Sequence, residues 1–398
     1  MLETWRWFGS NDVVPLVAIR QAGARGVVTA LHDIPYGIAW TDHSIRERQN
    51  EIARDDALGL HWAVVESLPI HENIKLGSGD ISGIVDNYRT SMRNLAAAGI
   101  RTICYNFMPV IDWTRTDLAY RMPGGGLALR FSAHEFAAFD CFMLQRPGAD
   151  ADHHADAVRR GKAWFDKSSQ SDRDRLLSTI MAGLPGAFDR YDIPGLRRIL
   201  AAYKDITADG LRANLISFLT KILPLAEELG IRFAIHPDDP PRPLMGLPRI
   251  VSTQDDIAQL FAAYPSPANG LTLCTGSLGA GATNDISAIA RTFADRVHFA
   301  HLRNVRKYAD GSFHEADHLS GDTDMVDVVD ILLAEQSRRR QAGKADWRIP
   351  FRPDHGHELL DDIGKGCFPG YSAIGRLKGL AEIRGVMAAL SKVKGYPL

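Results

Sequence analysis

Short apolar runs alternate with longer amphipathic stretches along most of this chain. The apolar and β-branched runs predict strands at residues 5–8, 26–31, 62–66 and 101–106. The clearest predicted helix covers residues 81–96, where apolar side chains recur three and four positions apart and Gly99 is placed to end the helix. This alternation is typical of α/β folds with a parallel sheet.

The alternation stops between residue 112 and about residue 207. This stretch contains Gly124-Gly125-Gly126 and several charged helical patterns, and it is far longer than an ordinary βα loop of about 2 to 6 residues. We interpret residues 112–207 as a helical insertion after the fourth strand. A helix at 211–229, which Pro224 should kink, then resumes the alternation, and a smaller insertion at 307–322 follows the seventh strand.

Four later apolar runs end in residues that can bind a metal. The predicted strands five to eight finish at His236, Cys274, His301 and Asp354. Together with the first four strands they predict a single (β/α)8 barrel over residues 1–398, in which the strand ends would form one site. An open doubly wound sheet is the structural alternative, but no GxGxxG motif follows an early strand.

The predicted site combines imidazole, thiolate and carboxylate groups. This donor set suits a divalent transition metal, whereas magnesium or calcium would favour oxygen ligands alone. His298 lies three positions before His301, so the two side chains point to opposite faces of the strand, and we assign His301 to the interior because it ends the strand. Asp238 and Asp239, beside several prolines, are alternative ligands or loop caps.

Two further residues are candidates for proton transfer. His355 follows Asp354 directly, and an imidazole can act as acid or base near neutral pH. Tyr371 lies in a loop between Gly370 and Gly375, a setting that can present its phenol inward. Each residue also has a structural alternative, which is a loop hydrogen bond for His355 and packing for Tyr371.

Four polar residues are candidates for holding a substrate. Arg303 and Asn304 lie just past the seventh strand and could hold a carboxylate and a hydroxyl, although a surface position would be equally ordinary for both. Asn106 ends the fourth predicted strand. His314 lies within the second insertion, which could act as a lid.

Composition narrows the class of protein. Of 398 residues, 45% are apolar and 24% charged, as in soluble globular proteins, and a net charge of -2 gives no reason to expect nucleic acid or an anionic membrane as partner. No stretch resembles a secretory signal or a membrane span, so we expect a cytoplasmic protein. The four cysteines form no CxxC pair, and we expect thiols rather than disulfides.

Long motifs extend over nearly the whole chain. They include Thr4-Trp5-Arg6-Trp7, Cys104-Tyr105-Asn106-Phe107-Met108-Pro109, Asp112-Trp113-Thr114-Arg115-Thr116-Asp117, His236-Pro237-Asp238-Asp239-Pro240-Pro241, Cys274-Thr275-Gly276-Ser277, Phe313-His314-Glu315-Ala316, Arg352-Pro353-Asp354-His355-Gly356-His357 and Gly370-Tyr371-Ser372-Ala373-Ile374-Gly375-Arg376. In these segments the chain resembles the D-mannonate dehydratases, hydro-lyases of bacterial hexuronate breakdown. It departs from the family pattern at residues 308–312 and 364–368.

The resemblance implies a xylose isomerase-like TIM barrel with a single Mn2+ or Fe2+. The ligands would be His236, Cys274, His301 and Asp354, with His355 and Tyr371 as proton-transfer groups. The reaction implied removes water between C2 and C3 of D-mannonate, a small sugar acid, to give 2-keto-3-deoxy-D-gluconate, while the cation stabilises the enediolate. Whether the protein forms a homo-oligomer is left open.

Three other functions are alternatives. A metal-dependent sugar or sugar-acid isomerase on the same barrel would favour carboxylate-rich ligands, and the glutamates expected at these strand ends are absent. A metal-dependent nuclease or phosphodiesterase is disfavoured because the chain lacks net positive charge. A structural metal site in a binding protein would not need acid–base groups such as His355 and Tyr371 beside it.

Overall fold

The computed structural model describes residues 1–183 and 191–397. Within these residues twelve strands form: β1 (Leu2–Arg6), β2 (Gly26–Thr29), β3 (His61–Glu66), β4 (Thr102–Tyr105), β5 (Asp117–Arg121), β6 (Leu127–Phe131), β7 (Arg232–Ile235), β8 (Asn269–Cys274), β9 (Val297–His301), β10 (Asn304–Lys307), β11 (Phe313–Ala316) and β12 (Pro350–Arg352). Eight of them close into a parallel barrel in the order β1-β12-β9-β8-β7-β4-β3-β2. The predicted (β/α)8 barrel is confirmed.

The helices follow the predicted alternation. They are α1 (Leu16–Gln21), α2 (Asp42–Ile52), α3 (Glu72–Leu76), α4 (Ser82–Ala97), α5 (Ala133–Ala137), α6 (Ala155–Lys167), α7 (Gln170–Ile180), α8 (Ile193–Ala202), α9 (Ala208–Leu229), α10 (Gln254–Ala263), α11 (Thr275–Gly279), α12 (Ile286–Phe293), α13 (Met325–Gln341) and α14 (Ala373–Lys394). Gly99 follows α4 with a φ of 82°, a conformation that glycine adopts without strain, so the predicted helix end is confirmed. Pro224 lies inside α9 as expected.

Apolar burial on both faces explains why the strands close into a barrel. Every residue of β8 is buried, as expected for a parallel strand between an inner core and an outer layer of helices. A small cluster of Val28, Val64, Cys104 and Phe299 joins four barrel strands. The Thr272 hydroxyl of β8 donates to the Cys104 sulfur of β4 at 3.3 Å, past β7, which lies between the two strands. We therefore place these side chains in the barrel interior.

The first insertion and the segment that follows barrel strand β9 build one extra sheet. β5 and β6 come from the first insertion, β10 and β11 follow barrel strand β9, and the four pair antiparallel in the order β10-β11-β6-β5. We call these four strands the added sheet. Residues 112–207 were predicted to be helical, and they do contain α5 to α8, but they also contain these two strands. Residues 184–190 of this insertion lie outside the described part of the chain.

Local sequence explains why the strands of the first insertion are hard to recognise. β5 is only partly buried along its length, and both strands are five residues long, so neither shows a long apolar run. Their connection passes through Gly124, Gly125 and Gly126, where the Met122 amide donates to the Gly126 carbonyl at 2.8 Å.

Across the described residues, the helices are all too short or too polar to cross a membrane.

Candidate active site and metal centre

Three of the predicted metal ligands meet at the carboxyl end of the barrel. His236 follows β7, while Cys274 and His301 end β8 and β9, which are the next two strands around the ring. One ligand atom from each residue lies within 4.8 Å of the others, and His236 Nε2 is 3.2 Å from His301 Nδ1. Adjacent parallel strands thus bring two imidazoles and a sulfur to one point, as the sequence predicted.

Neighbouring groups orient these three side chains. The second ring nitrogen of His236, Nδ1, lies 2.7 Å from the Pro237 carbonyl, so we assign it as the donor and leave Nε2 free to bind a cation. His301 Nε2 is 3.5 Å from a Glu66 carboxylate oxygen, which directs its Nδ1 toward the cluster. The Ser277 backbone amide donates to the Cys274 sulfur at 3.4 Å.

The surroundings of Cys274 favour its thiolate. Burial raises the pKa of the thiol, but the Arg303 guanidinium and His236 outweigh this effect and hold the pKa well below its usual value. A thiolate is the form of cysteine that binds metals, and it is a soft ligand that suits a transition metal. The donor chemistry of the cluster therefore fits a divalent transition-metal ion.

Asp354 lies beside the cluster in the loop after β12. Its oxygens are 3.9 Å from His301 Nδ1 and 3.7 Å from the Cys274 sulfur. The carboxylate forms ion pairs with Arg303 Nε at 2.7 Å and with Arg352. Burial raises the pKa of Asp354, but Arg352 and its other cationic neighbours hold it well below its usual value. The group is thus an anion within reach of the predicted cation, and its role as fourth ligand stays a prediction.

The two predicted proton-transfer residues lie together next to Asp354. The rings of His355 and Tyr371 pack edge to face with centroids 5.1 Å apart, and His355 Nε2 is 4.0 Å from an Asp354 oxygen. Burial raises the pKa of Tyr371 to about 12 even though Arg352 lowers it. Both residues line the same small pocket as His236 and Asp354.

Of the four predicted substrate-binding residues, Asn106 has the clearest access to that pocket, because it is among the lining residues. Arg303 is buried under the site. Its guanidinium pairs with Asp239, Glu315 and Asp354 and donates to the Ser277 hydroxyl, so it is not free to bind a substrate carboxylate. The geometry favours a role for Arg303 in fixing the charges around the site.

The side chains of Asn304 and His314 form hydrogen bonds with other parts of the protein. The Asn304 amide donates to the carbonyls of His318 and Thr323, and its oxygen accepts from the Thr323 backbone amide. His314 lies on β11, with Nδ1 3.0 Å from the Tyr308 hydroxyl. These hydrogen bonds give both side chains a structural role and do not support their predicted contact with substrate.

A network of buried charges surrounds the site, and most of it was not predicted from the sequence. Arg352 forms two hydrogen bonds with Glu66, at 3.0 and 2.8 Å. Arg115 forms two with Asp239, at 2.7 and 3.3 Å. Asp239 was considered as an alternative ligand, but the structure places it against arginines. Asp238 accepts from the Val251 backbone amide and the Ser252 hydroxyl, as a loop cap would.

Glu315 is a buried residue beside His355 that the sequence did not single out. It lies on β11 of the added sheet, and its Oε1 is 3.1 Å from His355 Nδ1 and 3.0 Å from Arg115 Nη2. Two features of the sequence could have indicated Glu315. It lies next to His314 in a long motif, and it is a charged residue at an inward position of a buried strand. The structure shows that the added sheet contributes to the site.

A closed parallel barrel with a histidine–cysteine–histidine cluster at its carboxyl end and an adjacent histidine–tyrosine pair defines a barrel enzyme of the xylose isomerase-like fold. A xylose isomerase-like TIM-barrel protein from Mycobacterium smegmatis shares this fold, with 12% identity, a TM-score of 0.50, and coverage of 94% of this chain and 87% of that one. The sequence profile of the D-mannonate dehydratase (UxuA) family matches residues 1–396. The chain belongs to this family.

Individual relatives are similar to this chain over its full length. The mannonate dehydratase of Chromohalobacter salexigens is 54% identical over 394 residues, covering 99% of this chain and 100% of its own. That of Saccharophagus degradans is 49% identical, covering 98% of each chain. The crystal structure of mannonate dehydratase from Streptococcus suis serotype 2 superposes with a TM-score of 0.78 at 33% identity, covering 100% of this chain and 95% of that one.

Proposed function

We propose that this protein is a hydro-lyase that dehydrates D-mannonate to 2-keto-3-deoxy-D-gluconate. Membership of the D-mannonate dehydratase family over residues 1–396 is the observation that carries this conclusion. The site adds chemical support, because donors for a cation and two proton-transfer candidates line one pocket. Dehydration needs both, since a proton leaves C2 next to a carboxylate and a hydroxyl leaves C3.

We further propose that His236, Cys274, His301 and Asp354 hold one divalent ion, either Mn2+ or Fe2+. The mixed nitrogen, sulfur and oxygen donors favour such an ion over magnesium. When bound, the ion supplies a positive charge that stabilises the negative charge developing on the substrate.

Buried charges beside the pocket are paired with one another. Four arginines form ion pairs with four carboxylates, namely Arg6 with Glu66, Arg115 with Asp239, Arg303 with Glu315 and Arg352 with Asp354. A substrate carboxylate that enters the pocket needs a positive partner of its own, because an unpaired buried ion is costly. The proposed divalent ion would be such a partner.

His355 and Tyr371 divide the base and acid roles in this proposal. One of them removes the C2 proton and the other protonates the departing C3 hydroxyl, which is a poor leaving group as hydroxide. Both side chains line the pocket, and their edge-to-face packing keeps them on the same side of it. Asn106, which also lines the pocket, is the residue we propose for binding a substrate hydroxyl.

The free cysteines support a reducing compartment. Cys104, Cys141, Cys274 and Cys367 are all thiols, which is typical of proteins that work in the cytoplasm. We therefore propose a cytoplasmic enzyme, and cell fractionation with detection of the protein in the membrane-free cytoplasmic extract tests this location.

One assay tests the reaction and the cation together. The purified enzyme is treated with a chelator, resupplied with Mn2+ or Fe2+, and given D-mannonate. We expect a 2-keto-3-deoxy acid to form only in the resupplied samples. Formation of an isomeric sugar acid without loss of water would contradict the proposal, and activity that survives complete chelation would contradict the role of the ion.

A variant separates proton transfer from metal binding. His355→Asn should lower turnover about 10³-fold, within the range for general acid–base catalysis, and should leave the metal content unchanged. His43→Asn is the matched control, because His43 is an exposed residue of α2 far from the pocket lining. Equal activity of the two variants would exclude a catalytic role for His355.

A further inference from the structure

The carboxylate of Glu315 holds the ring nitrogen of His355 that faces away from Asp354. Glu315 Oε1 lies 3.1 Å from His355 Nδ1, while the other ring nitrogen, Nε2, is 4.0 Å from an Asp354 oxygen. Both residues are buried, with 3% of Glu315 and 5% of His355 exposed. The two nitrogens of one imidazole therefore face different partners, one behind the site and one in it.

Two arginines keep Glu315 an anion at this position. Arg115 Nη2 is 3.0 Å from Glu315 Oε1, and Arg303 forms an ion pair with the same oxygen. Burial raises the pKa of Glu315, but Arg303 and its other neighbours lower it to about 2. An ionised carboxylate has no proton to give, so it can only accept a hydrogen bond.

The acceptor character of Glu315 decides which nitrogen of His355 carries the proton. Arg303 Nη1 also approaches His355 Nδ1, at 3.3 Å, which is longer than the 3.1 Å from Glu315 Oε1 to the same nitrogen. The carboxylate is the nearer partner and forms the stronger, charge-assisted bond when Nδ1 bears the hydrogen. His355 Nε2 is then the unprotonated nitrogen, and it lies on the side of Asp354 and the pocket.

We propose that Glu315 is a positioning residue that fixes the ring orientation and the tautomer of His355, and so presents Nε2 to the substrate. This inference rests on the proposed function, because it assumes that His355 transfers a proton in the dehydration. It adds that the acid–base geometry is set from the added sheet, since Glu315 belongs to β11, whereas the metal donors belong to the barrel.

Packing alone does not hold the ring of His355 in this orientation. Two aromatic rings also pack on it in edge-to-face pairs, with centroids 6.0 Å away at Trp113 and 5.1 Å away at Tyr371. These contacts restrain the plane of the imidazole, but they cannot distinguish Nδ1 from Nε2. A directional hydrogen bond is needed to select the tautomer.

Two substitutions at Glu315 test the role. Glu315→Gln removes the charge with little change of shape, and its amide can donate to Nδ1, which would select the wrong tautomer. Glu315→Asp keeps the negative charge between the arginines but withdraws it from His355 by one methylene. We expect kcat to fall about 10²-fold in the Gln variant and about 10-fold in the Asp variant, with KM within threefold and metal content unchanged.

The matched control is Glu335→Gln. Glu335 is also buried and pairs with arginines, with its Oε1 2.7 Å from Arg339 Nε, but it lies on α13 away from the pocket. This variant should lose stability and keep the wild-type kcat. Wild-type kcat in either Glu315 variant would overturn the proposal, and so would a parallel loss of metal and activity, which indicates a purely structural role.

A double variant tests whether Glu315 acts through His355. Adding Glu315→Gln to His355→Asn should change kcat by less than twofold, because the residue that Glu315 positions is already gone. A further 10²-fold loss would overturn the proposal. Failure of the wild-type enzyme to dehydrate D-mannonate would instead contradict the proposed function, so the two failures are distinguishable.

Discussion

The barrel and the added sheet contribute different chemistry to the same pocket. The barrel strand ends provide the groups that can bind a cation, His236, Cys274 and His301, within 4.8 Å of one another. The insertions provide Arg115 and Glu315, which contact the charged groups and His355 but are not part of that cluster. The comparison teaches that the groups able to bind a cation and the groups that contact His355 come from different parts of the chain.

The largest expected effect removes a barrel donor. Cys274→Ser replaces the thiolate with a hydroxyl that stays protonated and binds a soft cation poorly. Metal affinity should fall more than about 10²-fold, since loss of a residue that merely orients a ligand already costs about 10- to 100-fold. Metal analysis of the purified protein measures this effect.

Cys141→Ser is the control for that experiment. Cys141 is a partly exposed thiol in the first insertion, so its substitution should leave the metal content at the wild-type level. If Cys274→Ser also retained full metal occupancy, the barrel would not be the source of the cation site, and the contrast between the two regions would fail.

A smaller effect is expected from the insertion side. Arg115→Lys replaces a planar fork that contacts Asp239 and Glu315 simultaneously with a single ammonium group, which cannot span both. We expect kcat to fall about 10-fold while the metal content stays constant, because no metal donor is changed. Steady-state kinetics with parallel metal analysis measures both quantities.

Arg306→Lys is the matched substitution for this second test. Arg306 lies on β10 of the same added sheet and pairs with Asp322 at the surface, where an ion pair contributes little. It should leave kcat and metal content unchanged. Loss of metal in the Arg115 variant would show that the insertion also builds the cation site.

A third test compares two histidines of one barrel strand. His298 points away from the cluster, with Nε2 3.0 Å from the Pro267 carbonyl, and burial together with Arg232 and Arg339 lowers its pKa to about 3. Below about pH 6.5 the His298 side chain binds a proton in the unfolded chain but stays unprotonated in the folded protein. Stability should therefore fall with decreasing pH, by up to about 1.4 kcal/mol per pH unit, until the pH approaches the folded pKa.

His298→Gln removes this group and keeps a hydrogen-bond donor for the Pro267 carbonyl. Urea unfolding of wild type and variant between about pH 5 and 7 should show a shallower pH dependence for the variant. Identical slopes would mean that His298 is not held neutral by burial. The metal content should be the same in both proteins, in contrast to any substitution at His301.

The smallest expected effect compares one helix from each region. Ser169 caps α7 of the insertion and Thr253 caps α10 of the barrel, each with a complete capping box. Alanine at either position should cost about 1 kcal/mol of unfolding free energy and leave kcat unchanged. We propose that the whole chain unfolds as one domain, so both variants should shift the same thermal transition. A shift confined to Thr253→Ala would show that the insertion unfolds separately.

The sequence predicted the barrel well because its signals are local. Strand ends, helix periodicity and Gly99 are all visible within windows of a few residues, and the closed barrel then places His236, Cys274 and His301 together without knowledge of side-chain contacts. The two strands of the first insertion were missed because each has only five residues and the first is poorly buried.

The charge network could not be predicted from local patterns. Arg115 contacts Asp239 and Glu315, which are 124 and 200 positions away along the chain. For the same reason Arg303 was expected to hold a substrate carboxylate. The sequence shows that a guanidinium is present, but it does not show that protein carboxylates already occupy it.

Closure of the barrel has a consequence for how the protein matures. The strand β12 pairs with β9 on one side and with β1 on the other, and the loop that follows it carries Asp354 and His355. During synthesis His236, Cys274 and His301 leave the ribosome earlier, so the proposed set of four donors would be complete only when this last strand inserts between the first and seventh strands of the ring. A bound cation would then stabilise the closed barrel by its own binding free energy, because it would link residues from early and late parts of the polypeptide.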